Sequence, residues 1–333
     1  MVRSLEGRIA LVAGATRGAG RGIACMLGET GATVWCSGRS TRDHAATPGR
    51  LETIEETAER VTAAGGRGIA ARTDHADEGA VTALVERVIA ESGRIDILVN
   101  DIWGGDDLTQ WQPFWTLDSA QGFEMLDRAV RTHILTSRHV APHMIQRKSG
   151  LIVEITDGDH AGYRGTLFYD LAKTSAIRLA FAMASELAPH GVTALAVTPG
   201  FLRSEAMLER MGVTEANWRD ASSKAHGWEA SETPNYVGRA VAALAADRNI
   251  ARKAGKVYAS WTLAKEYGFT DSDGSQPSWG NYVERSLTDI LDRGGPANAD
   301  ERFWIEAWYS QLKAEPDWQA LMQRIATTYR RSD

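Results

Sequence analysis

An α/β fold, a doubly wound parallel sheet flanked by helices, is what this sequence predicts, and three observations predict it. Short apolar runs recur along the chain, as in residues 9–13 (IALVA), 95–100 (IDILVN) and 192–197 (VTALAV), the pattern of strands buried on both faces. Helix-periodic segments lie between them, clearest over 77–92, where Val81, Leu84, Val85, Val88 and Ile89 repeat at helical spacing. The first run passes directly into a glycine-rich turn and a helix. Strands that alternate with helices in this way pair in parallel, the helices serving as crossovers.

Bulk properties bound the function. The chain has 333 residues, 43% hydrophobic and 24% charged. That is enough for one large unit and an extension, since α/β units run to about 250 residues. A net charge of −6 leaves no general nucleic-acid footprint. The two cysteines, Cys25 and Cys36, make neither a disulfide framework nor a metal spacing, so a reducing, cytoplasmic location is expected. No run reaches the roughly 18 apolar residues of a membrane span, and no leader with a cleavage pattern is expected.

The strand at 9–13 runs into Gly14-Ala-Thr16-Arg17-Gly18-Ala-Gly20, then a helix over 17–30 and a strand over 31–36. In such a unit a pyrophosphate meets backbone N–H groups and a helix N-terminus, and only glycine permits its close approach. The alternative is a tight turn with no ligand. The second strand ends in Cys36-Ser-Gly38-Arg39-Ser40, without the acid that would hold a ribose 2′-hydroxyl. Arg17 and Arg39 instead suit a 2′-phosphate, which favours NADP(H) over NAD(H).

Helix at 49–65, strand at 67–72, helix at 77–92 and strand at 95–100 continue the alternation. Ligands bind such sheets at the carboxyl ends of the strands, where Asp74 and Asn100 fall. Asp74 suits an adenine amino group or a turn cap. The irregular stretch that follows carries Trp103, Trp111, Phe114 and Trp115. These aromatics are expected to wall an apolar substrate pocket, or else to be core or an oligomer contact. Asp106 and Asp107 read as solvated.

One long helix is expected over 119–148 and a strand over 150–156. A helix over 166–189 carries Tyr169 and Lys173, four apart and therefore on one face. A cation beside a phenol favours the phenolate and makes it a usable proton donor or acceptor near neutral pH. The strand at 192–197 ends in Thr198-Pro199-Gly200. Residues 201–234 are polar with weak periodicity; a helix at 235–247 and a closing strand at 256–260 follow. Residues 299–333 read as two amphipathic helices broken near Pro316. Their stripe of Phe303, Trp304, Trp308 and Trp318 is expected to pack on the main domain or a partner subunit, since the segment is not basic enough for a membrane surface.

On Gly14-x-x-x-Gly18-x-Gly20, Asp74, Leu98-Val-Asn100, Tyr169-x-x-x-Lys173 and Pro199-Gly200, the sequence resembles the short-chain dehydrogenase/reductase family over about residues 5–262. Residues 255–274 resemble a narrower branch of it. The resemblance implies a Rossmann-like catalytic domain over 1–262, with a lid at 201–234 over the substrate, and a helical extension over 263–333. It implies that Tyr169 exchanges a proton with the substrate oxygen, and that Lys173 holds ribose hydroxyls and depresses the tyrosine pKa. Gly14, Thr16, Arg17, Gly18, Gly20, Arg39, Asp74 and Asn100 would hold the nucleotide, with Pro199, Gly200 and Ser204 meeting the carboxamide. The substrate would be a small carbonyl compound or alcohol, lined by Trp103, Trp111, Trp115 and Tyr163. No nucleic-acid or membrane partner is expected, and the expected assembly is a homodimer or homotetramer.

The departures are as informative. The family's carbonyl-polarising serine falls at Asp157, with Thr156 just before it; Thr156 substitutes only if the strand end twists or bulges. An ionised Asp157 repels a tyrosinate, whereas a protonated one could donate to a carbonyl. The family's helix asparagine falls at Ala129 and its second loop asparagine at Asp101. A nucleotide-binding protein with little or no turnover is therefore the alternative. Glu154, Asp157, Asp159 and His160 read as caps and solvated charges, and no metal site is expected.

Overall fold

The computed structural model describes residues 4–159 and 163–293. Its first half alternates β1 (Ile9–Ala13), α1 (Gly18–Glu29), β2 (Thr33–Gly38), α2 (Ile54–Ala63), β3 (Arg67–Arg72), α3 (Glu78–Ser92) and β4 (Ile97–Asn100). The second half brings α4 (Ser119–Leu126), α5 (Thr132–Arg147), β5 (Gly150–Ile155), α6 (Leu167–Leu187), β6 (Val192–Thr198), α7 (Glu205–Met211) and α8 (Pro234–Ala246). It closes with β7 (Val257–Ala259), α9 (Ser260–Tyr267) and α10 (Trp279–Asp292). The seven strands are parallel, in the order β3-β2-β1-β4-β5-β6-β7. The winding direction reverses between β1 and β4, which opens a crevice at their carboxyl ends.

Alternate residues of each strand face opposite sides, so the sheet carries two cores. Ala10 and Val12 of β1 join Ile23 and Leu27 of α1, Val61 of α2 and Val241 of α8 on one face. Leu11 joins Leu84 and Val88 of α3 and Val140 and Met144 of α5 on the other. Helix ends follow local chemistry. Asp77 caps α3 by accepting from the Gly79 and Ala80 amides, and Gly93 ends it at φ 76°. On the first face α8 lies directly on α1. A Cβ on Gly22 would collide with the Pro234 carbonyl, and one on Gly238 would stand 2.5 Å from the Gly22 carbonyl.

Three features of the structure were not read from the sequence. The single helix expected over 119–148 is α4 and α5 joined by a π-helical turn, Asp127–Arg131. That wider turn leaves the apolar spacing on either side intact, and it sets Ala129 in a small core with Met125 and Ala172. Residues 201–234 form a packed lobe: Trp218 and Trp228 are buried with Phe201, Met207 and Leu208 around them. Polar composition had hidden this, because the apolar residues of the cluster are spread among polar ones without a regular period. Third, α9 runs across position 262, where the extension was expected to begin. The Tyr282 and Val283 side chains of α10 pack with Ala230 and Trp279. Pro316 and the aromatic stripe at 303–318 lie outside the described residues.

Candidate active site

Tyr169 and Lys173 sit in the first two turns of α6, on the side of the crevice formed by β4 and β5. The Tyr169 hydroxyl donates to Asp157 Oδ2 at 2.6 Å. Its ring packs edge-on against Trp103 (5.6 Å between centroids) and at a tilt against Trp111 (6.0 Å). The Lys173 ammonium lies 3.7 Å above the Trp103 ring and 5.5 Å from the Tyr169 ring centroid. The expected lowering of the phenol's pKa is therefore not met. Burial, then the charge and hydrogen bond of Asp157, push Tyr169 well above its ordinary value. Lys173 is drawn onto an indole face rather than toward the phenol oxygen, and burial lowers its own pKa against the pull of Asp157 and Asp101.

The loop after β5 explains the roles of its two candidates. Thr156 is buried and donates to the Lys173 carbonyl at 2.6 Å, so it pins α6 to the sheet and does not stand in for a serine. Asp157 faces the crevice as the carboxylate partner of Tyr169. Gly158 at φ 81° turns the chain, and its amide donates to Thr198 Oγ1 at 2.8 Å. Arg164 clamps the loop from beyond, donating to the Asp157 carbonyl, to Asp170 at 3.0 Å and to Thr174 at 2.9 Å. Asp170 thus faces Arg164. His160 lies outside the described residues. Trp111 is 62% exposed beside the Tyr169 ring. Trp115 is 73% exposed with its ring against Phe114, and Tyr163 is 44% exposed, so neither is gathered into the Tyr169 cluster.

The glycine turn fits a phosphate. Gly14 and Gly18 have φ of 92° and 57°. A Cβ on Gly14 would strike the Asp101 carbonyl, and one on Gly20 would crowd both the Gly14 carbonyl and Asp101 Oδ2. The Gly18 amide donates to Glu205 Oε2 at 2.8 Å, while Glu205 Oε1 pairs with Arg21 at 3.2 Å. This carboxylate from α7 stands in for a phosphate oxygen: the turn already holds an anion. Thr16 lies within the turn and Arg17 reaches Thr47 Oγ1 at 3.5 Å. Arg39 is exposed beside Gly104. Asp74 is exposed and accepts from the Ala76 amide at 3.0 Å, a turn cap at the end of β3. Ser204 caps α7, accepting from the Met207 amide at 3.3 Å.

Two carboxylates lie just behind this surface, Asp101 half-buried and Glu232 buried. Burial lifts Asp101 to about 7 against the pull of Lys173. Glu232 accepts from the Gly200 amide at 2.9 Å and from Ser260 Oγ at 2.5 Å, and burial lifts it to about 8. It anchors the turn after Pro199.

Sequence reasoning missed a third group. Asn100 points into the sheet, donating to Ser137 Oγ at 2.9 Å and Glu154 Oε1 at 2.7 Å. Glu154 Oε2 meets His133 Nδ1 at 2.5 Å, and His133 Nε2 meets the Ile102 carbonyl at 3.1 Å. Burial opposes charge on His133, but the Glu154 charge and hydrogen bonds outweigh it and raise its pKa. This buried hydrogen-bonded pair ties the Trp103 loop to the sheet. The legible signal was an acid inside the buried run Leu151-Ile-Val-Glu154-Ile155, which requires a partner. Among the described residues no group of three or more His, Cys, Asp or Glu side chains could hold a metal, and no helix is long and apolar enough to cross a membrane.

Comparison with known proteins follows the same outline. The family described as short chain dehydrogenase matches residues 8–212. The mouse protein named dehydrogenase/reductase SDR family member 1 is 33% identical over 279 residues, 82% of this chain and 86% of its own. The human protein of that name is 32% identical over 324 residues, 96% and 97% of the two chains. A crystal structure of a short chain dehydrogenase from Mycobacterium thermoresistibile superposes with a TM-score of 0.69 at 23% identity, covering 83% of this chain and 92% of that one, which speaks for the fold. By the family match over residues 8–212 and the relatives that cover most of the chain, the chain belongs to the short-chain dehydrogenase family.

Proposed function

We propose that the protein is an NADP(H)-dependent oxidoreductase that interconverts a carbonyl and an alcohol on an apolar or aromatic small molecule. The observation that carries this reading is a coincidence of place. A glycine turn that already holds an anion and the Tyr169–Lys173 face of α6 both border the crevice at the switch between β1 and β4. The nucleotide, when bound, supplies or accepts the hydride.

The chain's own residues do the rest. Gly14, Thr16, Gly18 and Gly20 line the pyrophosphate, and Arg17 and Arg39 meet the ribose 2′-phosphate. Asp74 serves the adenine, and Pro199, Gly200 and Ser204 the carboxamide. Asn100 acts from within the sheet, by holding Glu154 and Ser137. Lys173 meets the ribose hydroxyls, and Tyr169 passes its proton to the substrate oxygen in reduction and recovers it in oxidation. Trp103 and Trp111, both in contact with Tyr169, support an apolar or aromatic substrate. Exposed Ile134 on α5 and Leu171 and Phe181 on α6 support assembly of a homodimer or homotetramer through these helices.

Removal of the phenol tests the mechanism. Tyr169→Phe abolishes NADPH-dependent reduction across a panel of aryl ketones while NADPH affinity, read by fluorescence titration, stays within about twofold; surviving turnover refutes the role of Tyr169. The Tyr169–Asp157 bond favours one second reading, a nucleotide-binding protein with little turnover. Tight NADPH binding with no reduction of any ketone by the unaltered chain supports that second reading.

A further inference from the structure

Resting on the oxidoreductase reading, we propose that the substrate carries a cationic amine a few bonds from the reacting carbon, an aryl amino ketone or its amino alcohol, and that Asp157 binds the ammonium. The phenol's hydrogen already has an acceptor. Tyr169 donates it to Asp157 Oδ2 at 2.6 Å, and that contact must be given up before the hydroxyl can face a substrate oxygen.

Charge balance then decides what kind of substrate releases it. In reduction the carbonyl carbon gains the hydride supplied by the reduced nicotinamide. The π pair of the carbonyl moves to its oxygen, and the Tyr169 proton closes the alcohol. The phenolate left behind stands beside the Asp157 carboxylate, two like charges in contact. Lys173 and Arg164 offset this charge in part, the one from over the Trp103 face and the other while it holds the Asp157 carbonyl, Asp170 and Thr174. A substrate ammonium bound to Asp157 adds a positive charge in direct contact with the carboxylate. It also takes over the carboxylate as a hydrogen-bond acceptor, which frees the phenol to turn toward the carbonyl.

The surroundings suit such a group. Asp157 is exposed to the crevice, and the exposed Trp111 ring lies 6.0 Å from that of Tyr169. Asp157 can give an ammonium a charge-assisted hydrogen bond, and the Tyr169 ring, whose hydroxyl it holds, lies with Trp111 in the same cluster for a cation–π contact. The remainder of an aryl ketone finds Trp103 and Trp111.

The experiment compares two ketones of one shape on the full chain with NADPH. β-Dimethylaminopropiophenone carries the cation, and isocaprophenone, with CH in place of NH⁺, does not. The unaltered protein favours the amine by about tenfold or more in kcat/KM, and Asp157→Ser reverses the preference. Equal or better turnover of isocaprophenone by the unaltered protein overturns the proposal and leaves the oxidoreductase reading standing, as it would if Asp157 worked as a protonated donor. Turnover of neither ketone by either protein counts against both.

A binding measurement separates the cation site from catalysis. Dimethyl(3-phenylpropyl)amine, which has no carbonyl, binds the NADPH-loaded protein in calorimetry, and Asp157→Asn weakens it about tenfold. Unchanged affinity in that variant, with its circular dichroism intact, overturns the proposal.

Discussion

Glu154 and His133 show how much of the site depends on side chains that never face the crevice. Their buried contact fixes the Ile102 carbonyl and, one residue on, the Trp103 ring on which Lys173 rests. Losing one partner strands a buried charge. His133→Ala is expected to cost about 3–5 kcal/mol in denaturant unfolding, while Tyr236→Phe, far from the pair, costs less. Tyr169 and Lys173 were legible because a helix imposes their spacing whatever lies around them. The partner of Glu154 was not, because the two residues are 21 apart and only the turn between α4 and α5 sets the imidazole beside the carboxylate. Asp157 was legible as a residue in an unexpected position. That its carboxylate would take the phenol's hydrogen, and so reverse the expected pKa direction, required the geometry of the loop that Arg164 clamps.

At the scale of elements, the strands were the most legible part of the fold, because runs buried on both faces have no polar face to confuse the reading. The turn between α4 and α5 left no trace, since five π-helical residues hardly change the apolar spacing around them. α7 was illegible for another reason: its role lies in a contact spanning 187 residues, from Glu205 to the Gly18 amide. On the proposed reading, that carboxylate occupies the N–H group a nucleotide phosphate would use. Glu205→Gln is expected to tighten NADPH binding by about 1 kcal/mol, a factor of about five in fluorescence titration. The same change lowers the thermal midpoint of the nucleotide-free protein, because Arg21 loses a charged partner. Weaker NADPH binding in the variant would instead make Glu205 a contact that favours the cofactor.

The molecule as a whole has a stability profile set by two desolvated acids. Asp101 and Glu232 have folded-state values of about 7 and about 8, raised by burial above the ordinary carboxyl range. Each binds its proton more tightly folded than unfolded. The stability they contribute is complete below about pH 4 and is lost as the pH rises through about 7 and about 8. His133, also raised, changes stability in the same direction. Thermal midpoints are therefore expected to be higher near about pH 5.5 than near about pH 8.5, and Glu232→Gln should shrink the difference; a profile that rises with pH contradicts this.

The lobe at 201–234 leaves and rejoins the sheet domain at almost the same point. The Arg203 amide donates to the Glu232 carbonyl and the Glu232 amide to the Phe201 carbonyl, both at 2.8 Å, while Gly22 and Gly238 seat the following helix on α1. Such an excursion has its two attachment points stitched together before it begins. Its two ends are held together independently of its contents, so its interior can change without moving any strand as long as Glu205 keeps its contact with the glycine turn.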